Sequence, residues 1–392
     1  MTKAVTVFLT ALLLLQTAPT AQSGADSFIA AIEAPQTGRD GELPPLPLPA
    51  AMQKLGVPGM SIAVIRDFEI HWSKGYGLAD VVSGDKVTPD TLFQAASISK
   101  PVAAMAVLKA VQDGKFALDQ DVNSILTSWK VPPSEHTARQ PVTLRGLLSH
   151  TSGTDDGFGF PGYKPGAPLP TLVQILKGEA PSNVGAVLVA RPPLTAFKYS
   201  GGGITVVQLL MSDVMKRPFP EQMRDTVLAP LGMTSSAYEQ PLSPARDRTA
   251  ARAHDRTGAA RDAKWHVYPE LAAAGLWTTS PDLARFGIEL QKSLQGNSNR
   301  VLNRAMANEM ASPVGVGPFA MGMQMNKTGE GWYLSHGGSN WGFQCLLFVH
   351  KVKGYGFAAM TNADSGGRLI AELQQRVAAA YKWDMLDQPL RR

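Results

Sequence analysis

Ser97 and Lys100 lie three residues apart at the start of a predicted helix, so their polar ends share one helix face within hydrogen-bond reach. A serine hydroxyl attacks a carbonyl carbon when a neighbouring base takes its proton, and a buried lysine amine that has lost its own proton can act as that base. The apolar run 102–108 indicates that this helix packs against a core. The pair predicts a nucleophile and its base, although the same pattern alone more often belongs to a solvated helix surface.

Tyr199 is a candidate for proton transfer. It precedes the glycine-rich turn 201–203, which opens a predicted helix. A phenol held beside the Lys100 cation can pass a proton to a leaving group. The alternative is a tyrosine packed over a flexible turn.

The segment His336-Gly337-Gly338-Ser339-Asn340 is a candidate substrate-binding strand end. It follows a predicted edge strand at 332–335, and residues without side chains let a substrate lie against that strand. The N–H of Ser339 can pair with that of Ser97 to form an oxyanion hole, and His336 can donate to a substrate carboxylate or carbonyl. Trp341, the next residue, either lines the site or packs in the protein.

For the remaining histidines and the cysteine, the sequence predicts structural roles. The seven histidines are scattered without the spacing of metal ligands, so no metal site is expected. His150 follows a predicted helix end, where its imidazole can bond exposed carbonyl groups. Cys345 is the only cysteine, so no internal disulfide can form, and its apolar neighbours predict a buried strand residue.

The composition is that of a globular protein, with 44% hydrophobic and 18% charged residues among 392 and a net charge of +5. The basic cluster 246–261 also contains acidic residues and resembles a solvated loop, so no nucleic-acid partner is expected. Residues 1–23 have the pattern of a secretory signal, with Lys3 before an apolar block at 4–15 that is too short to span a bilayer. We expect export to a bacterial periplasm or medium, with no membrane span in the mature chain; a retained anchor is the alternative.

Strand patterns occupy both ends of the folded part and helix patterns its middle. The predicted strands are 60–66, 69–77, 320–325, 342–350 and 355–361. The predicted helices are 97–114, 144–148, 172–177, 204–216, 221–228, one capped by Ser280, and 368–381. A sheet assembled from both chain ends follows. The predicted boundaries are 1–23 for the signal, 24–48 for an extended lead-in, 49–117 with 270–385 for an α/β body, and 118–269 for a helical lobe.

Three ordered motifs, Ser97-x-x-Lys100, Tyr199-Ser200-Gly201 and His336-Gly337-Gly338, resemble those of the penicillin-recognising serine hydrolases, of the class C β-lactamase and D-Ala-D-Ala carboxypeptidase type. The similarity covers about 52–381. The resemblance implies a β-lactamase-like fold of the α/β class (α+β type): an antiparallel β-sheet flanked by helices, beside an all-helical lobe. It also implies an acyl-enzyme on Ser97 and no cofactor.

Two departures from the family pattern bear on the substrate. Gly201 stands where β-lactamases usually carry an asparagine amide, and His336 replaces the lysine that helps bind the β-lactam carboxylate. The resemblance therefore favours hydrolysis of a peptide or related amide bond in a small molecule or peptide, including bonds at D-configured or unusual residues. A carboxylesterase of the same fold, a β-lactamase, and a non-catalytic protein that binds cell-wall peptide or β-lactam remain open. A lipase-like hydrolase is not favoured, since the chain has no G-x-S-x-G motif.

Overall fold

The computed structural model describes residues 22–37, 43–156, 159–329 and 331–383, so the predicted signal segment lies outside the described residues apart from its last two. The described strands are β1 Gly59–Arg66, β2 Glu69–Gly77, β3 Phe93–Gln94, β4 Trp277–Thr278, β5 Gln324–Thr328, β6 Gly331–Asn340, β7 Phe343–His350 and β8 Gly356–Thr361. Six form one sheet in the order β2-β1-β8-β7-β6-β5, and every neighbouring pair is antiparallel. β3 and β4 form a separate two-stranded sheet.

Helices cover both faces of the large sheet. The described helices are α1 Gln22–Glu33, α2 Leu48–Lys54, α3 Ser99–Gln112, α4 Val122–Ile125, α5 Leu144–Leu148, α6 Leu172–Lys177, α7 Gly201–Met215, α8 Phe219–Met223, α9 Pro244–Asp247, α10 Leu271–Ala274, α11 Ser280–Gln295, α12 Arg304–Met310 and α13 Gly366–Tyr381. α11 packs against β1, β7 and β8, while α13 packs against β7, β8 and α1. None of these helices combines the length and the apolar character that a membrane span requires.

The side chains of β1 show why the sheet needs two covering layers. Ala63 and Ile65 pack into the core that includes α3, α7 and α11, whereas Ile62 and Val64 pack into a second core with α1 and α13. Successive side chains of a strand point to opposite faces, so an uninterrupted apolar strand must be covered on both. The predicted antiparallel sheet flanked by helices is confirmed, and the predicted strands 60–66 and 69–77 pair with each other as β1 and β2.

Several predicted elements differ from the structure in their bounds or caps. The predicted edge strand at 332–335 is only part of β6, which pairs with β5 as far as Ser335 and continues to Asn340 because β7 pairs with it through the glycines. The strand predicted from residue 320 begins only at Gln324, since Gly322 takes a φ of +87° that interrupts extended backbone. The cap of α11 is Thr279 rather than Ser280.

The segment 24–48, predicted to be extended, contains most of α1 and takes part in the core. Arg376 on α13 explains this difference. Its buried guanidinium donates to the carbonyl oxygens of Ile32, Ala34 and Leu46 and to the carboxylate of Glu372. The N-terminal segment therefore supplies the acceptors that a buried cation needs.

Removing this cation is expected to destabilise the protein strongly. The variant Arg376→Met leaves the Glu372 carboxylate buried without its ion pair and frees three carbonyl groups, so the free energy of unfolding should fall by about 3 to 5 kcal/mol. Urea denaturation followed by circular dichroism measures this. Gln375→Met, at an exposed position of the same helix, is the control and should change stability by less than about 0.5 kcal/mol.

Candidate active site

Ser97 lies on a single 3₁₀ turn, Ala96–Ile98, that leads into α3. Ala96 holds a positive φ of 48°, which costs a non-glycine residue roughly 1 to 2 kcal/mol. Two bonds hold the turn in place: Ser99 Oγ donates to Ala96 O at 2.5 Å, and the N–H of Leu276 donates to Ser99 Oγ at 3.0 Å. The half-buried Ser97 lines a groove at the surface.

Lys100 is 2% exposed, and its Nζ lies 2.9 Å from Ser97 Oγ. Nζ also donates to the carbonyl oxygen of Ala273, in α10, at 2.9 Å. One hydrogen of the amine is thereby fixed on a backbone acceptor, which holds Nζ beside the Ser97 hydroxyl. The predicted contact is present, although the two residues belong to different turns, Ser97 to the 3₁₀ turn and Lys100 to α3.

Tyr199 meets the same amine with its ring face. Lys100 Nζ lies 5.0 Å from the Tyr199 ring centroid, within the range of a cation–π contact. The tyrosine precedes Ser200, the N-cap of α7, whose Oγ accepts an N–H of the first helical turn at 2.7 Å. The structure thus brings Ser97, Lys100 and Tyr199 together along one groove.

His150 supports this arrangement from behind. Its ring centroid lies 4.3 Å from that of Tyr199, and its Nδ1 accepts the N–H of Ser200 at 3.2 Å. Burial, and next the charge of Lys100, hold the pKa of His150 well below its usual range, so the ring is neutral and carries its hydrogen on Nε2. The expected bonding of His150 to carbonyl groups at a helix end is wrong, because its Nδ1 is an acceptor at the start of α7.

β6 passes directly beside the nucleophile turn. A Cβ at Gly338 would meet Ala95 O at 2.3 Å and Cys345 Sγ at 2.4 Å, so only glycine fits there. Cys345 is a buried strand residue, as predicted: its Sγ donates to Ala95 O at 2.9 Å, and burial raises the pKa of the thiol. In the described part of the chain β5 pairs with β6 only up to Ser335, which leaves 336–340 without a strand partner on that side.

His336 lines the groove as a neutral acceptor. Its Nδ1 lies 2.6 Å from Gly337 O, and since a carbonyl oxygen can only accept, Nδ1 carries the hydrogen. Burial, and next the charge of Lys100, lower the pKa of His336 to about 3. Its Nε2 is therefore a lone-pair acceptor, without a partner among the described residues. The expectation that His336 donates to a substrate carboxylate or carbonyl requires a hydrogen on Nε2, and it stays a prediction.

The other predicted binding residues differ in what they can offer. Gly337 and Ser339 are exposed along the groove, and Ser339 Oγ accepts from Gln344 Nε2 at 2.8 Å. Asn340 is buried and spends both amide hydrogens on Gln94 and on Ala274 O, so it anchors the end of β6. Trp341 does not line the groove. Its ring stacks on that of His266, with 3.9 Å between the ring centroids, so of the two predicted roles for Trp341 the structure shows packing.

The groove has a volume of about 810 Å³ and two chemically different walls. Beside Tyr199 the wall is aromatic, formed by Phe160, Phe197 and Phe319. Phe160 occupies the space next to Gly201, where a Cβ would meet its ring at 2.6 Å. Among the described residues that line the groove, Lys100 is the one charged side chain.

Sequence reasoning missed several groups that hold the site. The carbonyl of Ala273 gives no sequence signal, because every residue has one. The carboxylate of Asp156 accepts hydrogen bonds from Ser200 Oγ and, at 2.5 Å, from the N–H of Gly202. Burial raises the pKa of Asp156. Within the described ranges, no three His, Cys, Asp or Glu side chains are grouped as metal ligands.

Glu270, just before α10, is a buried carboxyl group that predicts a pH effect on stability. Neither of its carboxyl oxygens has a hydrogen-bond partner among the described residues, and burial raises its pKa from 4.5 to about 7. Between these values the unfolded state ionises while the folded state keeps the proton, so stability falls as pH rises through this window. The loss reaches about 3 kcal/mol above the folded-state pKa.

The variant Glu270→Gln should remove this loss. Its free energy of unfolding relative to the wild type is expected to rise by about 3 kcal/mol between pH 4 and pH 8, because only the wild type titrates at this position. Urea denaturation of both proteins at each pH measures the difference. A constant difference across this range would contradict a raised pKa for Glu270.

The chain is similar in sequence and in fold to known proteins. The Protein flp of Staphylococcus aureus strain N315 is 22% identical over 80% of this chain, which spans only 61% of that relative's length. Penicillin-binding protein 4 of Amycolatopsis lactamdurans is 27% identical over 78% of this chain and 81% of its own. The crystal structure of the D-amino acid amidase of Ochrobactrum anthropi SV3, complexed with L-phenylalanine, superposes with a TM-score of 0.65 at 23% identity, covering 86% of this chain and 98% of that one.

The family model described as Beta-lactamase matches residues 48–382, which include the nucleophile turn, Tyr199 and all of β6. This match confirms the resemblance to penicillin-recognising serine hydrolases that the three motifs indicated. With most of its length matched, the chain belongs to the Beta-lactamase family.

Proposed function

We propose that this protein is a serine hydrolase that cleaves a peptide bond or a related amide bond through an acyl-enzyme on Ser97. The observation that carries the proposal is the 2.9 Å contact between Ser97 Oγ and the buried Nζ of Lys100. The Tyr199 ring, 5.0 Å from the same Nζ, supports a part for the phenol in proton transfer. The proposed oxyanion donors are the N–H groups of Ser97 and Ser339.

The proposed reaction has two steps. In the first, Ser97 Oγ bonds to the carbonyl carbon while its proton passes to the unprotonated amine of Lys100, and the C–N bond breaks as this proton moves through Tyr199 to the leaving amine. In the second, water adds to the acyl carbon, the bond between that carbon and Ser97 Oγ breaks as a water proton passes to Oγ, and the acid is released. The oxyanion formed in each step lies beside the open edge of β6.

The neutral acceptor at His336 supports an amide over an ester. An amide carries an N–H that can donate to Nε2, whereas an ester oxygen carries no hydrogen. The shared fold with a D-amino acid amidase supports the same substrate class. A carboxylesterase activity is the closest alternative, because the same acyl-enzyme would serve both bonds.

β-Lactam hydrolysis is less well supported by the charges in the groove. A β-lactam carboxylate needs a cation or donors beside the reacting carbonyl. Lys100 is held against Ser97 and Ala273 O, and neutral His336 offers a lone pair in place of the lysine found in β-lactamases. We therefore propose that nitrocefin is a poor substrate.

A substrate screen tests the proposal. Wild type and Ser97→Ala are assayed against D- and L-amino-acid amides, short peptides, p-nitrophenyl esters and nitrocefin. We expect amide hydrolysis that disappears in Ser97→Ala. Faster ester than amide turnover would favour the esterase, and binding without any turnover would favour a non-catalytic binding protein. Rates that survive the substitution would remove Ser97 from the mechanism.

We also propose export, with cleavage of the signal before the folded part begins. Ala25 is fully buried in α1, so cleavage in the small-residue stretch 21–23 removes at most the first two residues of this helix, whereas cleavage after Ala25 would remove a residue of the core. Mass spectrometry of the N-terminal peptide from a periplasmic fraction tests this. A chain that still carries residues 1–20 would contradict it.

A further inference from the structure

A second cavity of about 640 Å³ adjoins the far end of the catalytic groove. Gly367, in the first turn of α13, lines both. The side chain of Gln344 lies between the two. Gln344 Nε2 donates to Ser339 Oγ at 2.8 Å, and Gln344 Oε1 lies 3.8 Å from the position that a Cβ of Gly367 would take. One glutamine side chain thus separates the proposed oxyanion strand from this cavity.

The second cavity is lined by cations. Lys54, Arg256 and Arg368 line it, and the acidic residue among its lining is Asp364. Asp364 is already neutralised, because it pairs with Arg261 and accepts the N–H of Gly342 at 2.9 Å. Within the described residues no carboxylate lies within ion-pair distance of Lys54 or Arg256.

The two cavities differ sharply in charge. The catalytic groove has one cation, Lys100, which is held by Ser97 and Ala273 O. A substrate that extends along β6 past Ser339 and Gln344 would reach the second cavity, because Gly367 lines both. Exposed cations around a concave surface attract an anionic group, and the start of α13 adds the positive end of its helix dipole.

We infer that the second cavity is an anion-binding subsite, and that the substrate carries a carboxylate or phosphate-like group on the part that extends past Gln344, away from the bond that Ser97 attacks. The inference rests on the proposed function and names a substrate class for it. The aromatic wall at Tyr199 and the cationic cavity at Lys54 and Arg256 then bind opposite parts of one extended molecule.

Binding to Ser97→Ala, which needs no turnover, tests the inference. Alanine tripeptide amides in D and L forms are capped with succinyl, phosphonoacetyl or acetyl, and their Kd values are measured by calorimetry. We expect the succinyl or the phosphonoacetyl peptide to bind roughly tenfold more tightly than the acetyl peptide, with the better of the two identifying the anion. The preference should weaken as salt rises.

Charge reversal localises the effect. Lys54→Glu/Arg256→Glu in the Ser97→Ala background should abolish the preference, while Arg300→Glu, at an exposed residue that lines neither cavity, should keep it. Equal Kd values for all three caps, undetectable binding of the anionic peptides, or a preference that survives the double reversal would overturn the subsite. Turnover of the acetyl peptide by the wild type reports separately on the proposed function.

Discussion

Replacing Lys100 by methionine is expected to lower kcat/KM for the best amide substrate by roughly 10³-fold or more, with little change in KM. The reason is geometric. Lys100 Nζ lies 2.9 Å from Ser97 Oγ, and no other amine lines the groove in the described part of the chain, so the substitution removes the proposed base. Steady-state kinetics of purified Lys100→Met measures the loss.

A second lysine on the same helix controls for non-specific effects. Lys109 lies on α3 and pairs with Asp113 near the surface. Lys109→Met should therefore leave kcat/KM within about twofold and cost only a few tenths of a kcal/mol in stability. Near wild-type turnover by a folded Lys100→Met protein would show that another group activates Ser97.

The second large effect is expected at Gly338. In Gly338→Ala the new Cβ would meet Ala95 O at 2.3 Å and Cys345 Sγ at 2.4 Å, so β6 must move away from the nucleophile turn. A displacement of about 1 Å between an attacking group and its oxyanion donors costs roughly 10²-fold in rate. We therefore expect kcat/KM to fall by at least that factor, with a loss of stability of about 1 to 3 kcal/mol.

The neighbouring glycine provides a matched control. A Cβ at Gly337 would have no neighbour closer than Cys345 O at 3.8 Å. Gly337→Ala makes the same chemical change one residue away, on the exposed side of β6, and should keep stability within about 0.5 kcal/mol. Equal losses of stability in the two variants would contradict the close approach of β6 to Ala95.

Local signals explain which elements the sequence predicted well. α5 and α6 have the predicted bounds because Thr143 and Thr171 cap them and Gly178 ends α6 in the left-handed region. The spacing of Ser97 and Lys100 fixes their contact in the same local way. The strands of the large sheet were predicted from their apolar pattern, and the antiparallel sheet, which the resemblance implied, is confirmed.

The features that sequence reasoning missed depend on contacts between distant parts of the chain. α1 could not be predicted from its own residues, because its position depends on Arg376 of α13, which donates hydrogen bonds to the carbonyl oxygens of Ile32 and Ala34. Likewise, the part of His336 as an acceptor follows from its bond to Gly337 O and from burial near Lys100. Neither condition is visible in residue types or spacing.

The measurement that bears most directly on the account is the site of covalent capture. Wild type and Ser97→Ala are treated with a fluorophosphonate, digested, and analysed by tandem mass spectrometry that separates Ser97 from Ser99. The account predicts one adduct, on Ser97, absent from Ser97→Ala and slower to form in Lys100→Met. An adduct on Ser99 or another serine, or no adduct in a folded protein, would contradict the claim that Ser97 is the nucleophile.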